Sequence, residues 1–119
     1  MINQQRLVDA FANLVRIDSP SGGEQHVAET VAARLRALGL EPQQDALHNV
    51  TAFIAGTGEP ILLNAHMDSV APCLGIEPRV DEQRGIIHST GTTILGADDR
   101  AGVERLLQGG REVVLCELQ

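Results

Sequence analysis

The sequence predicts an α/β fold in which helices flank a mixed β-sheet, and three observations point there. Two stretches near the N-terminus repeat apolar residues at helical spacing. Short β-prone segments bounded by Gly, Pro and Asn then follow between residues 41 and 89. Helical spacing returns after residue 100, so the order is helix, helix, strands, helix. With 119 residues the chain has the length of one domain and can bury a modest core.

Each element has its own signature. Leu7, Val8, Phe11, Leu14 and Val15 predict an amphipathic helix over about residues 3–16. The stretch "DSPSGGEQ" ends it through Pro20, Gly22 and Gly23. Ser21 and Glu24 have the spacing of a capping box, and Val27, Val31, Leu35 and Leu38 form one face of a second helix. Gly39 stands where a helix C-cap belongs. "EPQQDALHNVTAFIAG" reads as two short strands, with Val50, Ala52 and Ile54 alternating against Thr51 and Phe53. After the turn Gly56–Pro60, "ILLNA" is a continuous apolar run of the kind covered on both faces. Residues 69–85 predict a long loop or irregular hairpin, "GIIHS" a strand, and Ala101, Val103, Leu106 and Leu107 a third helix. "EVVLCEL" can form a last strand, after which the alternating pattern stops short, as in a truncated domain.

Composition excludes several classes of function. The formal charge is −7, and Phe11 and Phe53 are the sole aromatic residues. Neither a nucleic acid nor an anionic membrane is expected as a partner, since the basic surface and the stacking platforms are both missing. Cys73 and Cys116 are isolated, which suggests neither a disulfide framework nor a zinc knuckle. No signal peptide or membrane-length apolar run is evident, so a cytoplasmic protein is expected.

Chemistry is concentrated at two places. His66 and Asp68 follow "ILLNA"; on an extended segment residues i and i+2 share a face, so imidazole and carboxylate lie side by side. A metal-bound histidine commonly gives its other N–H to a carboxylate, and H-x-D at a strand end suits that arrangement. Taken alone, however, the pair reads more readily as a surface histidine and aspartate. Asp98 and Asp99 in "GADDR" are the second place. Adjacent aspartates before a helix are ordinary caps, but Asp98 could also offer its two oxygens to one or two divalent metals. His26, His48 and His88 have no telling partner, and Glu104, Glu112 and Glu117 read as solvent-facing charges. The sequence holds no G-x-S-x-G, no suggestive Cys–His pair and no phosphate-cradling loop.

Read together, "NAHMDSV" and "GIEPRVDEQRGIIHSTGTTILGADDRAGV" resemble the di-zinc aminoacylase and peptidase T family, most of all its peptidase T-like branch. The likeness extends through "DSPSGGEQ", "RLRALGL" and "NVTAFIAG", nearly the whole chain. It implies the sheet of a zinc-dependent exopeptidase, here incomplete: residues 1–119 would be the N-terminal portion of a catalytic domain without its lid or dimerisation domain. It also implies roles. His66 matches a zinc ligand, Asp98 the carboxylate that bridges two zinc ions, and Asp68 the catalytic acidic residue that supports the histidine. Arg100 takes the place usually held by lysine.

The implied reaction is hydrolysis of peptide bonds in small peptides by the parent enzyme, with amino-acid deacylation or carboxypeptidase action as alternatives within the family. Nothing after Asp99 matches the family's adjacent glutamate pair, which supplies the general base and a further metal ligand. The 119 residues alone are therefore expected to be inactive and to hold zinc weakly. A non-enzymatic remnant that self-associates through an exposed sheet edge is the other expectation.

Overall fold

In a computed structural model of the chain, residues 3–108 and 115–116 are described. The elements in order are α1 (Gln4–Val15), α2 (Gln25–Ala37), β1 (Gln43–Gln44), β2 (Val50–Thr51), β3 (Pro78–Asp81), β4 (Ile86–Ser89), α3 (Ala97–Gln108) and β5 (Leu115–Cys116). The α/β class follows as the sequence predicts, although the strands form two small antiparallel sheets. One has the order β1-β2-β5, and the other is the β3-β4 hairpin. The hairpin resolves the stretch that the sequence left between loop and irregular hairpin, and the tail does contribute a strand. All strand pairs in these sheets are antiparallel, and a parallel pairing occurs as an isolated bridge between Pro20 and Ser69, outside the strands.

Local chemistry explains where the helices start and stop. Asn3 caps α1 by accepting from the Arg6 backbone N–H at 3.0 Å. At the end of α2 the Gly39 N–H donates to the Arg36 carbonyl and the Leu40 N–H to the Leu35 carbonyl, with Gly39 at φ 84°. This is a Schellman motif, the cap that Gly39 predicts. The capping box does not form. α2 begins at Gln25 with Glu24 as its N-cap, and Glu24 Oε1 accepts from the Gly22 N–H at 2.8 Å. Ser21 is thereby free to bond elsewhere.

One apolar cluster joins Leu14 of α1 to Val27, Val31 and Leu35 of α2, Val50 of β2, Met67, and Val103 and Leu107 of α3. A second joins Phe11 and Val15 to Cys73 and Ile76. The run "ILLNA" departs from expectation. Among the described residues it pairs with no strand, and Ile61 and Leu62 are 66% and 59% exposed. A strand covered on both faces needs neighbours and a layer above and below, and those residues find neither. Only from Ala65 onward does the segment enter the core.

Candidate functional site

From Ala65 to Ser69 the chain alternates: Ala65, Met67 and Ser69 are buried, while His66 and Asp68 turn to the other face. Met67, wholly buried in the main cluster, is the anchor between them. The Met67 carbonyl accepts from Ser19 Oγ at 2.8 Å and from Arg100 Nε at 3.2 Å. One residue further, the Ser69 N–H donates to the Ser19 carbonyl at 2.8 Å. The segment is thus held by backbone-directed bonds on both sides, without belonging to either sheet.

His66 stands between two carboxylates. Its Nδ1 lies 3.0 Å from Asp68 Oδ1 and 3.2 Å from the Asp68 carbonyl, and its Nε2 lies 2.9 Å from Asp98 Oδ1. Partial burial pulls the imidazole pKa down, but the hydrogen bonds and charges of Asp98 and Asp68 outweigh it and raise the net value above the ordinary range. Asp68 moves the other way. The Ser21 hydroxyl, which donates to Asp68 Oδ2 at 2.5 Å, holds the carboxyl below its usual range against the opposing effect of burial, and His66 adds to it.

The adjacent aspartates divide their work. Asp98 and Asp99 have non-helical backbone angles, so the regular part of α3 begins after them. Asp99 Oδ1 accepts from the Gly102 N–H at 3.1 Å and is the cap. Asp98 is not needed for that and projects into solvent, its side chain 96% exposed, where it meets His66. Asp99 is therefore the cap, and Asp98 stands outside that duty, beside His66.

Arg100 fixes this arrangement from beneath. It is fully buried and donates to the carbonyls of Leu14 at 2.7 Å, Ile17 at 3.1 Å and Met67 at 3.2 Å. Two of those carbonyls lie at the end of α1, where the helix dipole favours a cation. Burial lowers the guanidinium pKa, with Cys73, Asp18 and Asp68 opposing. Sequence reasoning saw here a retained charge and missed the clamp. A signal was present: Arg100, Val103, Glu104 and Leu107 share one helix face, which places two ionisable residues on an apolar stripe.

Glu104 corrects the expectation of a solvent-facing charge. It is 1% exposed, and both its oxygens accept from Arg34 at 2.6 Å, so α3 is tied to α2 by a bidentate pair. Glu112 and Glu117 lie outside the described residues. His26 and His88 are exposed and His48 half-buried.

An imidazole nitrogen and a carboxylate oxygen converging on one solvent-facing spot are a donor set that suits zinc. Two such donors would make one side of a site. Among the described residues no group of three or more His, Cys, Asp or Glu side chains is disposed to hold a metal. Nor is any helix among them long and apolar enough to cross a membrane.

No protein-family model matches the chain. It is 32% identical to the uncharacterized protein YqjE of Bacillus subtilis, over 91% of this chain and 31% of that protein. It is 37% identical to a putative LysW-lysine/LysW-ornithine hydrolase of Pyrococcus furiosus, over 59% of this chain and 22% of that one. The chain thus spans under a third of the length of these relatives. A tripeptidase structure from Staphylococcus aureus superposes with a TM-score of 0.83 at 39% identity, covering 92% of this chain and 32% of that one. Aminopeptidase PepT of Bacillus cereus gives 0.84 at 30% identity, with 98% and 36% covered. Aminoacylhistidine dipeptidase of Vibrio alginolyticus, at 23% identity and a TM-score of 0.71, shares the fold.

Proposed function

Starting from a chain that belongs by sequence and fold to the aminoacylase and peptidase T family, we propose that it supplies one wall of a zinc site serving peptide hydrolysis. The 119 residues are the N-terminal portion of the catalytic domain in this reading, and the whole protein cleaves small peptides. The observation that carries it is the convergence of His66 Nε2 and Asp98 Oδ1 at 2.9 Å, with Asp68 behind the imidazole.

His66 and Asp98 would hold zinc, Asp98 with an oxygen to spare for a second ion, and Asp68 would keep the His66 Nε2 lone pair turned outward. What zinc supplies in such a site is Lewis acidity and the activation of water at neutral pH. The remaining steps belong to this chain's own groups. With a metal at Nε2, Asp68 would hold the proton on Nδ1, and Arg100 keeps the segment straight beneath them. Two donors leave the coordination open, so zinc binds weakly and the chain alone does not turn over peptides.

Cytoplasmic residence belongs to the same proposal, in keeping with cysteines that form no framework. So does self-association, supported by the exposed Phe53, Ile61, Leu62 and Leu63. Titration of the chain with zinc, followed by calorimetry and by the imidazole signals of His66, tests the site. The expected result is weak binding that moves His66 and disappears in His66→Ala. Zinc binding indifferent to His66→Ala would refute the site, and peptidase activity of the 119-residue chain would refute its incompleteness.

A further inference from the structure

The two oxygens of Asp68 do different things. Oδ1 faces His66 Nδ1 at 3.0 Å, while Oδ2 accepts from Ser21 Oγ at 2.5 Å, within the range of a charge-assisted O–H···O bond. Ser21 is 47 positions away in sequence and comes from the loop between α1 and α2. From this geometry we propose that Ser21 is a positioning residue of the site: its hydroxyl pins Asp68 so that the opposite carboxylate oxygen favours the imidazole tautomer with the Nε2 lone pair available to metal, against the pull of Asp98 on a proton at Nε2. The inference rests on the metal-site reading above and adds to it a residue beyond the histidine and the aspartates.

The loop that carries Ser21 is fixed by bonds in which the Ser21 hydroxyl takes no part. Ser19 Oγ donates to the Met67 carbonyl, the Ser69 N–H donates to the Ser19 carbonyl, and Pro20 bridges to Ser69. On the far side the Gly22 N–H is held by Glu24 Oε1, and the Gly23 N–H donates to the Pro20 carbonyl at 2.7 Å. Gly22 itself has φ 84°, a conformation that favours glycine. The backbone on either side is therefore set, and the hydroxyl arrives at Asp68 pre-placed. Asp68, by contrast, has a carboxylate free to turn about its last torsion, a broad two-fold well. One anchored oxygen removes that freedom.

The chemical consequence falls on His66. A neutral imidazole carries its proton on one nitrogen, and the acceptor at the other end decides which. Without metal, Asp98 Oδ1 competes for that proton at Nε2 from 2.9 Å, and Asp68 Oδ1 held against Nδ1 shifts the balance toward the Nδ1–H form. If the carboxylate turns away, Nδ1 retains only the Asp68 carbonyl at 3.2 Å as acceptor. The preference then weakens, and the lone pair spends time on the wrong nitrogen.

Ser21 is exposed, so Ser21→Ala removes the hydroxyl without opening a cavity. The experiment compares the wild-type chain, Ser21→Ala and Ser21→Thr. Long-range proton–nitrogen NMR of the imidazole at alkaline pH reports the tautomer, zinc titration reports affinity, and thermal melting reports the fold. Ser21→Ala is expected to melt like wild type, to shift the His66 tautomers toward the Nε2–H form that Asp98 favours, and to bind zinc about tenfold more weakly, the low end of what loss of an outer partner costs. Ser21→Thr, which keeps the hydroxyl, is expected to follow wild type in both readouts. A wild-type tautomer and zinc titration in Ser21→Ala would overturn the proposal, as would equal losses in the Thr and Ala variants. If zinc leaves wild-type His66 unmoved, the metal-site reading fails on its own, and the tautomer comparison alone upholds or overturns the role of Ser21.

Discussion

Replacing Arg100 by methionine keeps most of the aliphatic stem and removes the guanidinium, and the structure sets the size of the effect. Arg100 is fully buried and makes hydrogen bonds to the carbonyls of Leu14, Ile17 and Met67. Each hydrogen bond from the charged guanidinium is worth about 1–3 kcal/mol, although Met67 would keep Ser19 Oγ and Leu14 the Ile17 N–H as donors. Removal also relieves the cost of burying a charge, which offsets part of the loss. The lower sum, about 3 kcal/mol, is therefore the expected destabilisation.

Urea denaturation of the two chains measures it. With a slope of about 1–3 kcal/mol per molar urea, the midpoint should fall by about 1–3 M. Arg100→Lys keeps the charge but replaces a planar fork by a single ammonium, so its loss should fall between wild type and methionine. A methionine variant within about 0.5 kcal/mol of wild type, the range of ordinary surface substitutions, would refute the clamp.

At Gly102 a Cβ would lie 2.2 Å from Asp99 Oδ1, so Gly102→Ala must displace the carboxylate that caps α3. The usual gain of about 1 kcal/mol for Gly→Ala in a helix should be cancelled by loss of the cap, and a clear rise in melting temperature would contradict this. The pair around His66 also predicts a pH dependence. A folded pKa raised by Asp98 and Asp68 means the protonated imidazole stabilises the metal-free fold at low pH, and this stabilisation is lost as pH rises through the raised value. Asp68, lowered by Ser21 and His66, contributes above its unfolded pKa and loses that contribution as pH falls through its folded one. The metal-free chain should therefore gain most from this pair between the two values, whereas zinc, which competes with the proton on Nε2, should bind more tightly as pH rises through the His66 pKa. Zinc affinity that does not change across that range would contradict the assignment of His66.

The helices were legible because their information is local. Leu7 to Val15 and Val27 to Leu35 repeat at helical spacing, and Gly39 terminates α2 by the Schellman bonds its φ allows. The H-x-D pair was legible for the same reason, since alternation along an extended segment places His66 and Asp68 on one face whatever lies around them. "ILLNA" shows the limit of such reasoning. Apolar composition marks Ile61 and Leu62 as strand-like, but pairing and covering depend on distant segments.

By itself, then, the sequence determined the α/β order of elements, the helix ends and the shared face of His66 and Asp68. The tertiary structure alone decided which aspartate caps and which meets the histidine. It also decided that Ser21 turns from a capping box to Asp68, and that Arg100 and Glu104 are buried clamps. The physical reason is separation along the chain. The bonds from Ser21 to Asp68, His66 to Asp98, Arg34 to Glu104 and Arg100 to Leu14 join residues 32 to 86 positions apart. Those distances close only when α1, α2 and α3 pack on the core around Met67.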